Sequence, residues 1–220
     1  MQAVLYQSMH FFYAGLTRFT LLILPFYVVV TSVAFLLEVM MGLEQALWMA
    51  TIWSAVTSIL FDAALILMLH RLNKMQPLSM LQLWFDARHY WFSLAILTSL
   101  TMLLVLLGLV LLIVPGLIMA VLFTFAGFIL VIEKQSVVQA LLASRARAKF
   151  FFKPLLVVLG LQFFSVMLLY LLFQPGQETE IMSWGMRMLF AVANGYVMVF
   201  FKIVIFRYYL LWQERYQKIS

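Results

Sequence analysis

No cysteine occurs in the chain. Disulfides, thiolate metal sites and a cysteine nucleophile are therefore excluded, and methionine is left as the only side chain with redox chemistry. Charge is nearly as scarce. Asp, Glu, Lys and Arg make up 10% of the 220 residues, where a protein that presents a polar surface to water carries roughly a quarter. Histidine is limited to His10, His70 and His89, and no helix carries two of them at metal-ligand spacing. There is no glycine-rich phosphate loop, zincin pattern, nucleophile elbow or pair of carboxylates within one apolar run. Alcohol phosphatidyltransferases need an array of intramembrane acids, and one Asp does not supply it. A serine protease using Ser54 or Ser58 with His70 would place its base several turns away. Neither catalytic residues nor a metal or other cofactor are expected.

What fills the chain instead is hydrocarbon. Hydrophobic residues make up 66% of it and the mean hydropathy is +1.09, so residues 1–220 read as a single integral membrane domain. The fold class expected is all-α, a polytopic transmembrane helical bundle of about six spans with interfacial amphipathic helices. At ~1.5 Å rise per residue, about twenty apolar residues cross a ~30 Å hydrocarbon layer. Runs near 19–41, 46–69, 92–114, 117–132, 155–173 and 184–210 meet that length or approach it. The longest apolar stretch, Trp91 to Ile132, has no charged residue before Glu133, and Val114-Pro115-Gly116 reads as the turn of a membrane hairpin. Pro25 is placed in the first turns of the first span, where a missing N–H costs least.

Outside the spans, the first 17 residues lack a signal-peptide pattern and read as an aromatic-rich helix lying along the interface and ending near Gly15. Leu72 to Tyr90 reads as a connector with a surface-lying helix, its Trp84, Tyr90 and Trp91 at headgroup level. In the second connector Ser136 and Gln139 form a capping box, predicting a helix with Val137, Val138, Leu141 and Leu142 on one face. That helix ends in Arg145 and Arg147, followed by Lys149 and Lys153, candidate contacts to anionic lipid or to a partner. Retention of the loop on the cytoplasmic side accounts for the same cations.

Polar residues inside the spans are few. Ala50, Ser54, Ser58 and Asp62 recur every four residues, a stripe expected to face protein because a carboxylate in hydrocarbon needs a partner. Asn194, Met198 and Lys202 share a face of the last helix, and Lys202 lies at a depth comparable to Asp62. The pair Asp62 with Lys202, assisted by Asn194 and Ser58, is the candidate intramembrane polar site, read either as structural or as functional. Beyond Pro115, the residues Gly116, Ala120 and Thr124, with Gly127 close to the same row, form a small-residue ladder that suits close helix packing and puts the fourth span at the centre.

Lys and Arg concentrate at Arg18, in the connectors 71–90 and 133–153, and after Arg207, whereas the loops 42–45, 115–116 and 174–183 hold none. The positive-inside rule then puts both termini in the cytoplasm, with six crossings. The net charge of +6 is accounted for by topology, and no nucleic acid is expected as a partner.

Val114-Pro115-Gly116, the apolar arm after it, Val131-Ile132-Glu133 and the run Val137-Val138-Gln139-Ala140-Leu141-Leu142-Ala143-Ser144 resemble the YciC-like bacterial inner-membrane proteins. They are also similar to the membrane domain fused to some glycerophosphodiester phosphodiesterases. The likeness covers roughly Leu100 to Leu161. Gln135 and Phe150-Phe151 stand where the family commonly has a Gly and a Gly-Asn. The resemblance implies a polytopic inner-membrane bundle and carries no reaction with it.

Two non-enzymatic classes follow. One is a scaffold or accessory subunit in envelope or lipid homeostasis, in contact with membrane lipids and a membrane or periplasmic protein. The other is a transporter or lipid conduit with a polar path around Asp62. A cavity reaching Asp62 favours the conduit, and a solid bundle with a large apolar docking patch favours the scaffold.

Overall fold

The computed structural model describes residues 2–77, 79–173 and 184–217. They are almost entirely helical, with no strand among them. Helix α1 covers Gln2–Ala14, α2 Leu16–Met41, α3 Leu43–Asn73, α4 Met80–Leu111, α5 Ile113–Leu122, α6 Ala126–Ile132, α7 Val137–Ala148, α8 Phe152–Phe173 and α9 Trp184–Gln217. Six segments are long and apolar enough to cross a membrane: α2, α3, α4, the pair α5 and α6, α8 with its lead-in, and α9. The chain is thus an all-α, multi-pass membrane protein.

Consecutive spans touch, α2 on α3, α3 on α4, α4 on α5, α5 on α8 and α8 on α9. The last helix returns to α2, so the six spans close into a ring in chain order. Helix α6 sits against α3, α4 and α7, and α1 lies along α9. Packing is uneven along the ring axis. The buried residues Phe19, Leu22 and Ile23 of α2, Phe61, Ala63 to Ile66, Met68 and Leu69 of α3 and Val199, Phe201, Ile203 to Phe206, Tyr208 and Tyr209 of α9 cluster towards the end that carries Arg18, Arg71 and Arg207. Towards the other end Val39, Trp48, Val110 and Leu171 are exposed. The ring is solid at its basic end and loosely packed at the other.

An aromatic plug makes the basic end solid. Phe128 of α6 stacks on Tyr209 with ring centroids 5.6 Å apart and packs on Phe206 at 5.5 Å. Phe125 closes on Tyr209 edge-on at 6.0 Å. Such pairs add directional contacts to the area they bury.

Several expectations are corrected. The hairpin turn is at Leu112, whose backbone is extended (φ −167°, ψ 149°), while Pro115 lies in the first turn of α5, where its missing N–H has no intrahelical partner. Gly116 is needed for close approach: a Cβ on Gly108 would lie 2.8 Å from the Gly116 backbone. The connector helix before the third span is not surface-lying. It is continuous with that span in α4, whose 32 residues extend about 48 Å. Trp91 donates its indole N–H to the Val56 carbonyl of α3 at 3.0 Å.

Pro25 is ten residues into α2, because that helix starts at Leu16. On α7 the buried face is Ala140, Leu141, Ser144 and Ala148, whereas Val138 and Leu142 point outward. Small residues at spacing of four, not the branched ones, let α7 approach the break in the fourth span. The capping box of Ser136 and Gln139 is present, and the α1 helix ends at Ala14, next to Gly15. The loop 174–183 expected from sequence lies outside the described residues.

Candidate functional site: a polar floor inside the ring

Helices α3 and α9 touch only sparingly, and a salt bridge spans the gap between them. Lys202 Nζ donates to Asp62 Oδ2 at 2.9 Å, the pairing expected from sequence. Lys202 Nζ also stands 5.7 Å above the centre of the Phe128 ring, so the pair rests on the aromatic plug. The Asp62 side chain is half exposed (49%) and that of Lys202 less so (24%), because space remains on both sides of them.

That space has two lobes that share Asp62, Thr98 and Lys202. The first, about 410 Å³, is polar in part, lined by Ser58, Gln162 and Asn194 among residues of five helices, α2, α3, α4, α8 and α9. The second, about 440 Å³, is lined mainly by apolar side chains of α4 and of the α5–α6 break, among them Leu97, Val105, Leu106 and Phe123. A lining drawn from so many spans is the interior of the ring. Together the lobes form a vestibule whose floor is the ion pair and the plug.

The other expected members of the site contribute differently. Ser58 lines the first lobe, but its hydroxyl donates to the Ala55 carbonyl at 2.9 Å and not to Asp62. Ser54, one turn further along the row, bonds to Thr51 O at 2.9 Å. Both serines are exposed, so the stripe does not pack against protein. Back-bonding to the preceding turn satisfies a serine without a partner helix. Asn194 lines the first lobe with its Oδ1 buried and lacking a hydrogen-bond partner. It does not assist the ion pair. Gln162 donates to Met198 Sδ at 3.0 Å across α8 and α9.

No family model, curated protein or solved structure matches the chain. The vestibule's chemistry is therefore read from its own residues. It offers one carboxylate, one ammonium and an unpartnered amide oxygen beside a long apolar wall. Among the described residues no cluster of three or more His, Asp or Glu is arranged to hold a metal ion.

The cations proposed as lipid contacts divide. Arg147 is not available: its guanidinium binds Glu133 through both terminal nitrogens, Nη2 to Oε2 at 2.8 Å, and lies 4.2 Å over the Trp212 ring. Arg145, Lys149 and Lys153 are exposed. Burial alone would raise the Glu133 carboxyl, but Arg147 and the Tyr209 hydroxyl, which donates to it at 2.8 Å, hold it below the usual carboxylate range.

The packing ladder also divides. Gly116 serves the contact with Gly108, Ala120 accepts from the Thr124 hydroxyl at 2.8 Å, and Gly127 lies against Ile66 and Leu94. The ladder is not one continuous face, because the fourth span breaks at residues 123–125. Ser144 of α7 fills the break.

Sequence reasoning passed over three residues that shape the site. Gly195 lets the Tyr27 ring lie across α9, where a Cβ would meet the ring at 2.4 Å. Glu38 and Arg187 form an ion pair that joins α2 to α9 at the rim opposite the basic end. Glu38 and Arg187 were visible as charges near span ends, but nothing local marks two residues so far apart as partners.

Proposed function

We propose that the chain is a bacterial inner-membrane protein, both termini cytoplasmic, that takes a membrane amphiphile into the vestibule as a lipid conduit and catalyses no reaction. The observation that carries this reading is the pair of lobes meeting at Asp62 and Lys202. The unpartnered Asn194 oxygen, with Gln162, Ser58 and the ion pair, suits a head group that both donates and accepts hydrogen bonds. The wall of Leu97, Val105, Leu106 and Phe123 suits an acyl chain. A polar lobe beside an apolar one matches the two halves of a lipid. The plug blocks passage at the basic end, so the vestibule loads from the opposite face, periplasmic under this orientation.

The test is reconstitution in liposomes with head-labelled lipid, following exchange of that lipid with protein-free acceptor liposomes. Wild type should speed exchange over empty liposomes, and Asp62→Leu with Lys202→Met should lose most of that gain. Exchange no faster than between protein-free liposomes would sink the reading.

One observation favours the scaffold reading for a different face. A groove of about 360 Å³ between α2, α3 and α4, lined by Pro25, Phe26, Trp53 and Trp84, is almost wholly apolar and suits a helix of a membrane or periplasmic partner. The likeness to YciC-like proteins belongs with either reading and rests on the motif residues alone.

A further inference from the structure

A second polar pocket lies at the basic end and shares no lining residue with the vestibule. Its volume is about 390 Å³, and it is formed where α3 ends, α4 begins and α6 gives way to α7. Its floor is apolar, from Leu67, Val131 and Ile132, and its wall carries His70, Arg71, Asp86, His89 and Lys134. Asp86, the one acid in the lining, is engaged by Arg71. Its charge is thereby cancelled, and the pocket keeps the cation of Lys134 and the two imidazoles. Neither Lys134 nor His70 makes an ion pair or side-chain hydrogen bond among the described residues.

The backbone turns these groups towards the pocket. Glu133 is bound by Arg147 and Tyr209, which points it at α7 and α9. The next residue, Lys134, adopts the left-handed conformation (φ 55°), which non-glycine residues enter only at a cost. That turn separates neighbouring charges, placing the acid in the core and the ammonium on the pocket. His89 Nδ1 meets the Phe85 carbonyl at 3.0 Å, which leaves Nε2 as the nitrogen available to a ligand.

A cationic wall over an apolar floor, at the level where the spans end, fits an anionic group that arrives at a membrane surface. Oxyanions take hydrogen bonds from lysine, arginine and imidazole together. We infer that this pocket binds a phosphate group, carried by an anionic phospholipid or by a small soluble phosphate. The inference is independent of the vestibule reading, since the two cavities share no lining residue.

The test uses the full-length protein in mild detergent, titrated with dioleoyl phosphatidate, dioleoylglycerol and inorganic phosphate, with bound lipid counted by native mass spectrometry. One more phosphatidate than dioleoylglycerol should be retained per chain, since the vestibule can take either. Lys134→Gly keeps the left-handed turn while removing the ammonium. Combined with His70→Gln, it should weaken phosphatidate binding by about tenfold, the loss that follows from removing one or two charge-assisted hydrogen bonds. His89→Gln, on an exposed face of α4, is a milder second variant and should weaken binding in the same direction. Arg18→Gln, exposed at the basic end but outside the pocket, should bind as wild type.

Displacement of phosphatidate by millimolar inorganic phosphate identifies a soluble phosphate as the ligand. Retention under the same conditions identifies the lipid. The inference is overturned if phosphatidate binds no better than dioleoylglycerol and inorganic phosphate does not bind, or if the pocket variants bind phosphatidate as tightly as wild type.

Discussion

Ser144 on α7 closes a break in a membrane-spanning helix by bonding to both of its loose ends. Its hydroxyl accepts from the Phe125 N–H at 3.1 Å and donates to the Leu122 carbonyl at 2.7 Å. Both groups lost intrahelical partners where α5 gives way to α6. In a medium without water a broken helix persists only where a side chain takes over those bonds. Ser144→Ala removes both and should cost roughly 1–3 kcal/mol, read as a lower midpoint of thermal unfolding in detergent. Ser165→Ala, which loses only a bond to the preceding turn (Leu161 O, 2.8 Å), should leave the midpoint near wild type.

Glycines at two positions should respond in opposite directions. Gly108→Ala puts a Cβ 2.8 Å from the Gly116 backbone, so α4 and α5 must separate, and the variant should unfold earlier. Gly160→Ala meets nothing within 4 Å and should stabilise α8 by about 0.5–1 kcal/mol through the reduced entropy of the unfolded chain. If both substitutions behave alike in thermal unfolding, the close approach of α4 and α5 is not present.

Acid should loosen the basic end through Glu133. Its carboxyl is held below the ordinary glutamate value of 4.5 in the folded protein. The folded state therefore binds its proton less readily than the unfolded chain, and the stabilisation is fully present above that value. It is lost as pH falls through the lowered folded value. Glu133→Gln should flatten the dependence of unfolding midpoint on pH below about 4.5, with little change in slope near neutrality.

For Asp62 and Lys202 the exposure of both side chains limits their worth as a structural bridge. Pairs so accessible contribute about 0–1 kcal/mol, so Lys202→Met should barely move the unfolding midpoint while lowering lipid exchange. Exchanging the charges, Asp62→Lys with Lys202→Asp, should restore part of what either single change loses. Restoration of nothing would deny that the pair acts as a unit.

Absence of cysteine makes orientation directly measurable, since any introduced thiol is the only one present. Arg145→Cys should react with an impermeant maleimide only after cells are opened, and Leu112→Cys, which is exposed at the opposite end, should react in intact spheroplasts. The reverse pattern would invert the orientation and move the vestibule mouth to the cytoplasm.

Span number, the all-helical class and the basic end were legible in the chain because each depends on local sums: length of apolar run, hydropathy, and the side on which cations gather. Capping at Ser136 and the pairing of the single intramembrane Asp with Lys202 were legible for the same kind of reason, since a lone carboxylate in an apolar setting has few places to go. The Leu112 turn was misplaced because proline and glycine mark turns only statistically. Here Pro115 fits a first helical turn, and Gly116 answers to Gly108 on another helix.

Tertiary structure alone decided that the spans close into a ring, that one end is plugged and the other open, and which cations are already satisfied. Glu38 with Arg187 and Asp62 with Lys202 join residues 149 and 140 positions apart, and Arg147 is withdrawn from the surface by Glu133. Hydrophobicity drives each segment into lipid but is nearly indifferent to which helix lies beside it there. Neighbours are chosen by shape and by a few polar bonds, and these exist only once distant parts of the chain have met.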